Sequence, residues 1–174
     1  MHTTLGDWLL EPVANAIEAG ARAIQVEVAR QGSIVAITVS DDGPGLDPTT
    51  MATLLDPLTG GDPRKHPSRR PHLGLPLLDQ MVRQAGGHLT IDSAPGEGTV
   101  VRWTMDLAHP DTPPEGDWAA AATAAMVMAA GHGVALRWRR TSQGRSYEAD
   151  NLGLLGCGGA VDASVIAQLR RDLD

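Results

Sequence analysis

HLGLPLLDQMVRQAGGHLTIDSAPGEGTVVRWTM, residues 72–105, is the stretch that decides the fold. Leu75, Leu78, Met81, Val82 and Ala85 recur at helical spacing, and Gly86-Gly87 closes that run. The apolar period then shortens to two over His88 to Ser93 and again over Thr99 to Leu107. Pro95-Gly96-Glu97-Gly98 supplies the turn between them. A helix followed at once by a strand pair implies helices stacked on a mostly antiparallel sheet.

The upstream half repeats this order. Leu5, Trp8, Leu9, Val13, Ala16 and Ile17 predict a helix within Thr3 to Ala19, stopped by Gly20. Pro12 interrupts the pattern, so the helix either kinks there or begins near Leu9 with Pro12 in its first turn. AIQVEVA (23–29) and SIVAITVS (33–40) alternate like half-buried strands, and Gln31-Gly32 makes them a hairpin. Thr50 to Leu55 is expected to form a short helix. TGGDPRKHPSRRP (59–71) holds Gly, Pro and basic residues with almost nothing apolar, and is expected to be a mobile loop.

Downstream, HPDTPPEG (109–116) reads as a proline-rich linker. Beyond it come an expected helix over Asp117 to Ala130, strands near Val134 to Arg139 and Ser146 to Asp150, and a last helix over Asp162 to Leu173. The expected organisation is therefore an α+β two-layer sandwich over 1–108, the linker, and a small α+β extension over 117–174. The extension has few large apolar residues and is expected to pack on the first unit or on a partner.

Composition excludes several classes. The net charge of −7 argues against nucleic acid as the main partner, since affinity there comes from neutralising phosphates. Cys157 is the one cysteine, too few for an internal disulfide or a structural zinc site, which fits a cytoplasmic protein. The N-terminus lacks the pattern of a signal peptide. The apolar run Trp118 to Ala130 is too short and too Ala-rich to span a membrane. With no Phe, the core must be built from Val, Leu, Ile, Met and Ala, and Trp103 and Trp118 are expected in the core or at a domain contact.

Three short motifs carry chemistry. Glu11-x-x-x-Asn15 puts a carboxylate and an amide on one helix face. The amide oxygen suits magnesium, and the carboxylate can orient and deprotonate water. Asp41-x-Gly43-x-Gly45 follows a strand, where an ionised Asp can accept a hydrogen bond from an adenine amino group while the glycines let backbone approach the base. His72-Leu73-Gly74-Leu75 opens a helix, whose first amides are suited to anions. Arg64, Lys65, Arg69 and Arg70 precede it. Each motif alone is commonplace, and the order is what distinguishes them.

That order resembles the GHKL superfamily of gyrase, heat-shock chaperones, histidine kinases and MutL. LLEPVANAIEAGARAIQVEV is similar to the first motif of MutL. VSDDGPGLD looks like the adenine box of histidine kinases, Leu55-Asp56-Pro57-Leu58 matches the segment before the kinase lid, and residues 72–105 resemble the end of the kinase catalytic domain. The resemblance covers roughly residues 5–107 and implies a Bergerat-type fold that binds ATP with Mg2+. It implies that Asn15 ligates magnesium, that Asp41 reads adenine beside Gly43 and Gly45, and that Leu73, Gly74, Leu75 and Lys65 hold the phosphates. Glu11 is implied as the water-activating base.

The residues before the Glu11 helix include no acceptor-histidine helix pair, and the tail lacks the features of a MutL or gyrase transducer domain. The whole layout looks like small stand-alone ATP-binding proteins found beside electron-bifurcating FeFe-hydrogenase genes. The expected function is a stand-alone ATPase or ATP-gated switch acting on a partner protein, with a homodimer admitted by the resemblance. Two alternatives are a serine kinase of the anti-sigma-factor type and a degenerate scaffold. The latter is kept open by Pro12 and by His72, which stands where kinases have Gly.

Overall fold

The computed structural model describes residues 3–55 and 74–154. The expected loop at 59–71, the last helix at 162–173, and Lys65, His72, Leu73 and Cys157 lie outside these residues. Helix α1 runs Leu5–Glu18, strand β1 Ala23–Gln31, β2 Ile34–Asp41, helix α2 Pro48–Thr53, and α3 Gly74–Gln84. Strands β3 (His88–Ser93) and β4 (Thr99–Asp106) follow, then α4 (Trp118–Gly131), β5 (Ala135–Ser142) and β6 (Arg145–Asp150).

Pro12 neither delays nor ends α1. The helix is continuous from Leu5 and holds Pro12 as a buried residue. The start is fixed by a capping box: the Thr4 hydroxyl accepts from Asp7 N (3.2 Å) and the Asp7 carboxylate accepts from Thr4 N (3.0 Å). Two further amides at this end, Leu5 N and Gly6 N, donate to the carbonyls of Pro114 and Glu115 at 2.9 and 3.1 Å. The first turn is thus saturated before Pro12 removes a bond from the interior.

The hairpin turn falls one residue later than its Gly suggests. Gln31 still pairs with Ile34, so the loop is Gly32-Ser33, with Gly32 at φ 61°. Only glycine adopts that angle without strain.

All six strands form one sheet in the order β3-β4-β2-β1-β5-β6. β1 is antiparallel to β2 and parallel to β5. The chain leaves β4 at one side of the sheet, crosses through α4, and re-enters as β5 beside β1. The strands after the linker therefore continue the sheet formed by those before it. Val26, Ile37, Trp103 and Trp138 line the helix side, all at most 1% exposed. Two tryptophans supply the volume that a chain without Phe cannot take from that residue. The other side is polar and carries cross-strand ion pairs, Arg102–Asp92 at 2.6 Å and Arg139–Glu148 at 2.8 Å.

Helix α4 is apolar on nearly every side and packs against α1 and β5. The approach to α1 depends on small residues, since a Cβ placed on Gly6 would lie 3.0 Å from the Ala121 Cβ. Asn151 fastens the far end. It is fully buried, its Oδ1 accepts from Leu136 N (2.7 Å), and its Nδ2 donates to the carbonyls of Val134 (2.9 Å) and Met126 (3.3 Å). Asn151→Ala leaves Leu136 N buried without its acceptor and takes a donor from the carbonyls of Val134 and Met126. We expect it to lower the unfolding free energy by roughly 2–4 kcal/mol, read as a shifted denaturant midpoint.

Candidate functional site

The end of β2 meets the β3–β4 turn backbone to backbone. Gly45 has φ 68°, and a Cβ there would sit 1.9 Å from the Ala94 carbonyl oxygen. Gly98 has φ 78°, and its Cβ would sit 2.0 Å from the Asp41 carbonyl oxygen. Both approaches require glycine for space and for angle. Gly96 N donates to the Pro44 carbonyl at 2.7 Å and completes the seam. Beside it lies a concavity of about 430 Å³ lined by Met51, Ile91, Ser93, Ala94, Glu97 and Gly98, among others.

The two adjacent aspartates divide their work. The Asp42 carboxylate accepts from Arg22 N (2.7 Å) and Ala23 N (2.8 Å), so it is used in fixing the start of β1. Those backbone bonds, led by Ala23, hold its pKa below the usual carboxylate range. Asp41 faces the helix layer, where its Oδ1 accepts from Gly43 N at 2.8 Å and the Thr99 backbone N–H adds a second bond. Burial nevertheless pushes its pKa up, against the effect of those two bonds and with help from the Asp42 charge.

Asp41, Thr99 and Ser93 are register partners on three neighbouring strands, β2, β4 and β3. Partners directly opposite one another share a face. The Ser93 hydroxyl accepts from Leu46 N (2.9 Å), donates to the Gly98 carbonyl (2.8 Å) and lies 3.0 Å from Thr99 Oγ1. The sequence marks this region only as a strand end and turn, which carries no sign of what the Ser93 and Thr99 hydroxyls bond. The available signal was that Gly96 and Gly98 are two glycines in one four-residue turn.

Glu11 and Asn15 lie on α1, which packs against α3. A Cβ on Gly74, the first residue of α3, would lie 1.9 Å from Glu11 Oε2. The carboxylate therefore occupies the space that any larger residue at 74 would fill. The Asn15 Nδ2 is buried with no hydrogen-bond partner among the described residues. An unpartnered buried amide costs about 1–3 kcal/mol, which a ligand would relieve. A half turn of the amide exchanges its nitrogen and oxygen, so either can face that ligand. Leu75 is buried in the core next to Gly74. The structure thus sets Glu11 against Gly74, with Asn15 one turn further along α1, and separately brings Asp41, Gly43 and Gly45 together.

Residues 3–109 match the family model described as histidine kinase-, DNA gyrase B-, and HSP90-like ATPase, which is more than half of the chain. The chain belongs to this family. It is accordingly an ATP-binding domain with the mixed α+β fold that the sequence order implied. Among curated relatives it is 31% identical over 120 residues to the non-motile and phage-resistance protein of Caulobacter vibrioides, covering 65% of this chain and 14% of that one. It is 28% identical to the signal transduction histidine-protein kinase AfsQ2 of Streptomyces coelicolor, covering 59% and 19%. The chain spans less than a fifth of the length of these relatives. In shape it resembles the N-terminal domain of a DNA repair protein, with TM-score 0.58 at 16% identity over 84% of this chain and 52% of that one. That coverage exceeds the family model's span, so the likeness of fold takes in residues past 109. Among the described residues, no helix is long and apolar enough to cross a membrane.

If Asp41 is the acceptor for the base, Asp41→Asn should weaken ATP roughly 10- to 100-fold, the worth of one charge-assisted hydrogen bond. The raised pKa adds a pH signature. Protonation removes the charged acceptor, so affinity in wild type falls as pH drops through the raised value, and this step is absent from Asp41→Asn. The linked stability has the opposite sign. The contribution from this group is fully present below the ordinary Asp pKa and is lost as pH rises through the folded value. Titration calorimetry with both proteins across pH checks the first part, and thermal melting the second.

Proposed function

We propose that this protein is an ATPase or ATP-gated switch that acts on a partner protein, with Glu11 as the group that activates water. The observation that carries this reading is the placement of the Glu11 carboxylate against Gly74, at the start of α3, on a helix that also carries Asn15. A helix start offers free amides to phosphate oxygens. Asp41, Gly43 and Gly45 would receive the base, and Gly74, Leu75 and, from outside the described residues, Leu73 and Lys65 would receive the phosphates. Asn15 would hold Mg2+, whose chemistry when bound is to screen the phosphate charge.

In this arrangement Glu11 would hold a water near the terminal phosphate and accept its proton as the oxygen attacks phosphorus and the bond to the departing ADP breaks. Charge supports the rest of the reading: at −7 the chain is a poor nucleic-acid ligand, and a protein partner in the cytoplasm fits better. A hydrogenase-linked partner is supported by the sequence layout.

The decisive measurement is magnesium-dependent turnover of γ-labelled ATP, followed by gel analysis for labelled protein. Wild type should release phosphate, and Glu11→Ala should lose at least about 100-fold of that rate while still binding ATP. Label appearing on a second protein instead of free phosphate would replace hydrolysis with serine phosphotransfer.

Gly74→Ala tests the contact itself. The new methyl meets the end of a flexible side chain, so the fold should survive while Glu11 is expelled. We expect a normal melting temperature and turnover reduced by about tenfold or more. A melting transition shifted well below wild type would mean that the site cannot accommodate the methyl.

A further inference from the structure

The hydroxyl wiring behind Asp41 has only one consistent assignment. A Ser hydroxyl has one hydrogen and two lone pairs. Leu46 N, a donor, takes one Ser93 lone pair at 2.9 Å. The Gly98 carbonyl can only accept, so at 2.8 Å it must receive the single Ser93 hydrogen. Ser93 has then nothing left to donate, and its contact with Thr99 Oγ1 at 3.0 Å is a bond that Thr99 donates. The Thr99 hydrogen is thereby committed towards β3. What remains on that oxygen is lone pairs, in register with the Asp41 carboxylate on the same face.

We propose that Ser93 is a specificity-determining residue: by taking the Thr99 proton it leaves Thr99 and Asp41 as two adjacent acceptors, so the pocket admits a purine with a 6-amino group and rejects one with a 6-oxo group. This rests on the reading of Asp41 as the base partner. A 6-amino group brings two N–H donors to two acceptors. A 6-oxo group brings lone pairs against lone pairs, and the Thr99 hydroxyl cannot turn to meet it without breaking its bond to Ser93. Half-buried acceptors still discriminate against a 6-oxo group, because that group finds no hydrogen-bond donor on either side chain. Ser93 need not touch the nucleotide, since it acts through Thr99.

The test compares ATP with inosine triphosphate, which differs at position 6 by oxo for amino. Dissociation constants are measured for the whole chain by titration calorimetry, for wild type, Ser93→Ala, Ser93→Thr and Asp41→Asn. Wild type should prefer ATP. Ser93→Ala frees the Thr99 hydroxyl to donate, and the preference should shrink by about tenfold, the worth of one hydrogen bond, with inosine triphosphate binding no weaker than before. Ser93→Thr keeps a hydroxyl and should restore the wild-type ratio. Should Ser93→Ala weaken both nucleotides by the same factor, Ser93 only holds Leu46 and Gly98 in place and the inference is overturned. An unchanged ratio in Ser93→Ala, with Asp41→Asn still weakening ATP, also overturns it but leaves the site intact. If Asp41→Asn binds ATP like wild type, the site reading fails as well.

Discussion

Two backbone segments have to touch for this site to exist. The segment after β2 lies against the β3–β4 turn so closely that Gly45 and Gly98 each face a carbonyl where a Cβ would be. This contact joins residues about a third of the chain apart without using any side chain. Everything near it inherits its precision. It holds Asp41 beside Thr99, and it gives the Ser93 hydroxyl a carbonyl to donate to. A site built on strand ends and backbone contacts is stiffer than one built on long side chains, which lose more rotamer freedom when fixed.

The second organising element is α1. It presents Glu11 towards α3 and packs against α4 on another side. Its first amides bond to carbonyls of Pro114 and Glu115, and Glu115 also bridges Arg30 on β1 and the indole N–H of Trp118. The residues between β4 and α4 thus act as a brace across one end of the molecule. The proline-rich composition that marks them as a linker is also what keeps them extended enough to offer carbonyls to a neighbour.

Much of the fold was legible because apolar spacing changes cleanly from helical to alternating at Gly86-Gly87 and again around each hairpin. The helix over Leu5–Glu18 was harder. Intrinsic propensity set Pro12 against the apolar pattern, and tertiary burial together with a saturated first turn decided for the pattern. The choice of Asp41 over Asp42 followed motif spacing, whereas the structure separates them by what each carboxylate bonds. Ser93 and Thr99 were not legible at all. Their importance lies in which atom gives a hydrogen to which, and a strand end written SAPGEGT carries no sign of that. Nor could spacing tell that β5 would pair with β1, because parallel pairing depends on a distant crossover rather than on local turns.

Strand β1 has partners on both sides, β2 from within the family segment and β5 from beyond it. The boundary at residue 109 that separates the family segment in sequence therefore runs through the middle of a hydrogen-bonded sheet in space. Cut at that boundary, the ATP-binding segment would lose one of the two strands that pair with β1. Excised at that boundary it would present β1 as a bare edge, with a row of unpaired peptide groups beside the apolar surface that Trp138 now covers, the kind of surface that recruits other chains.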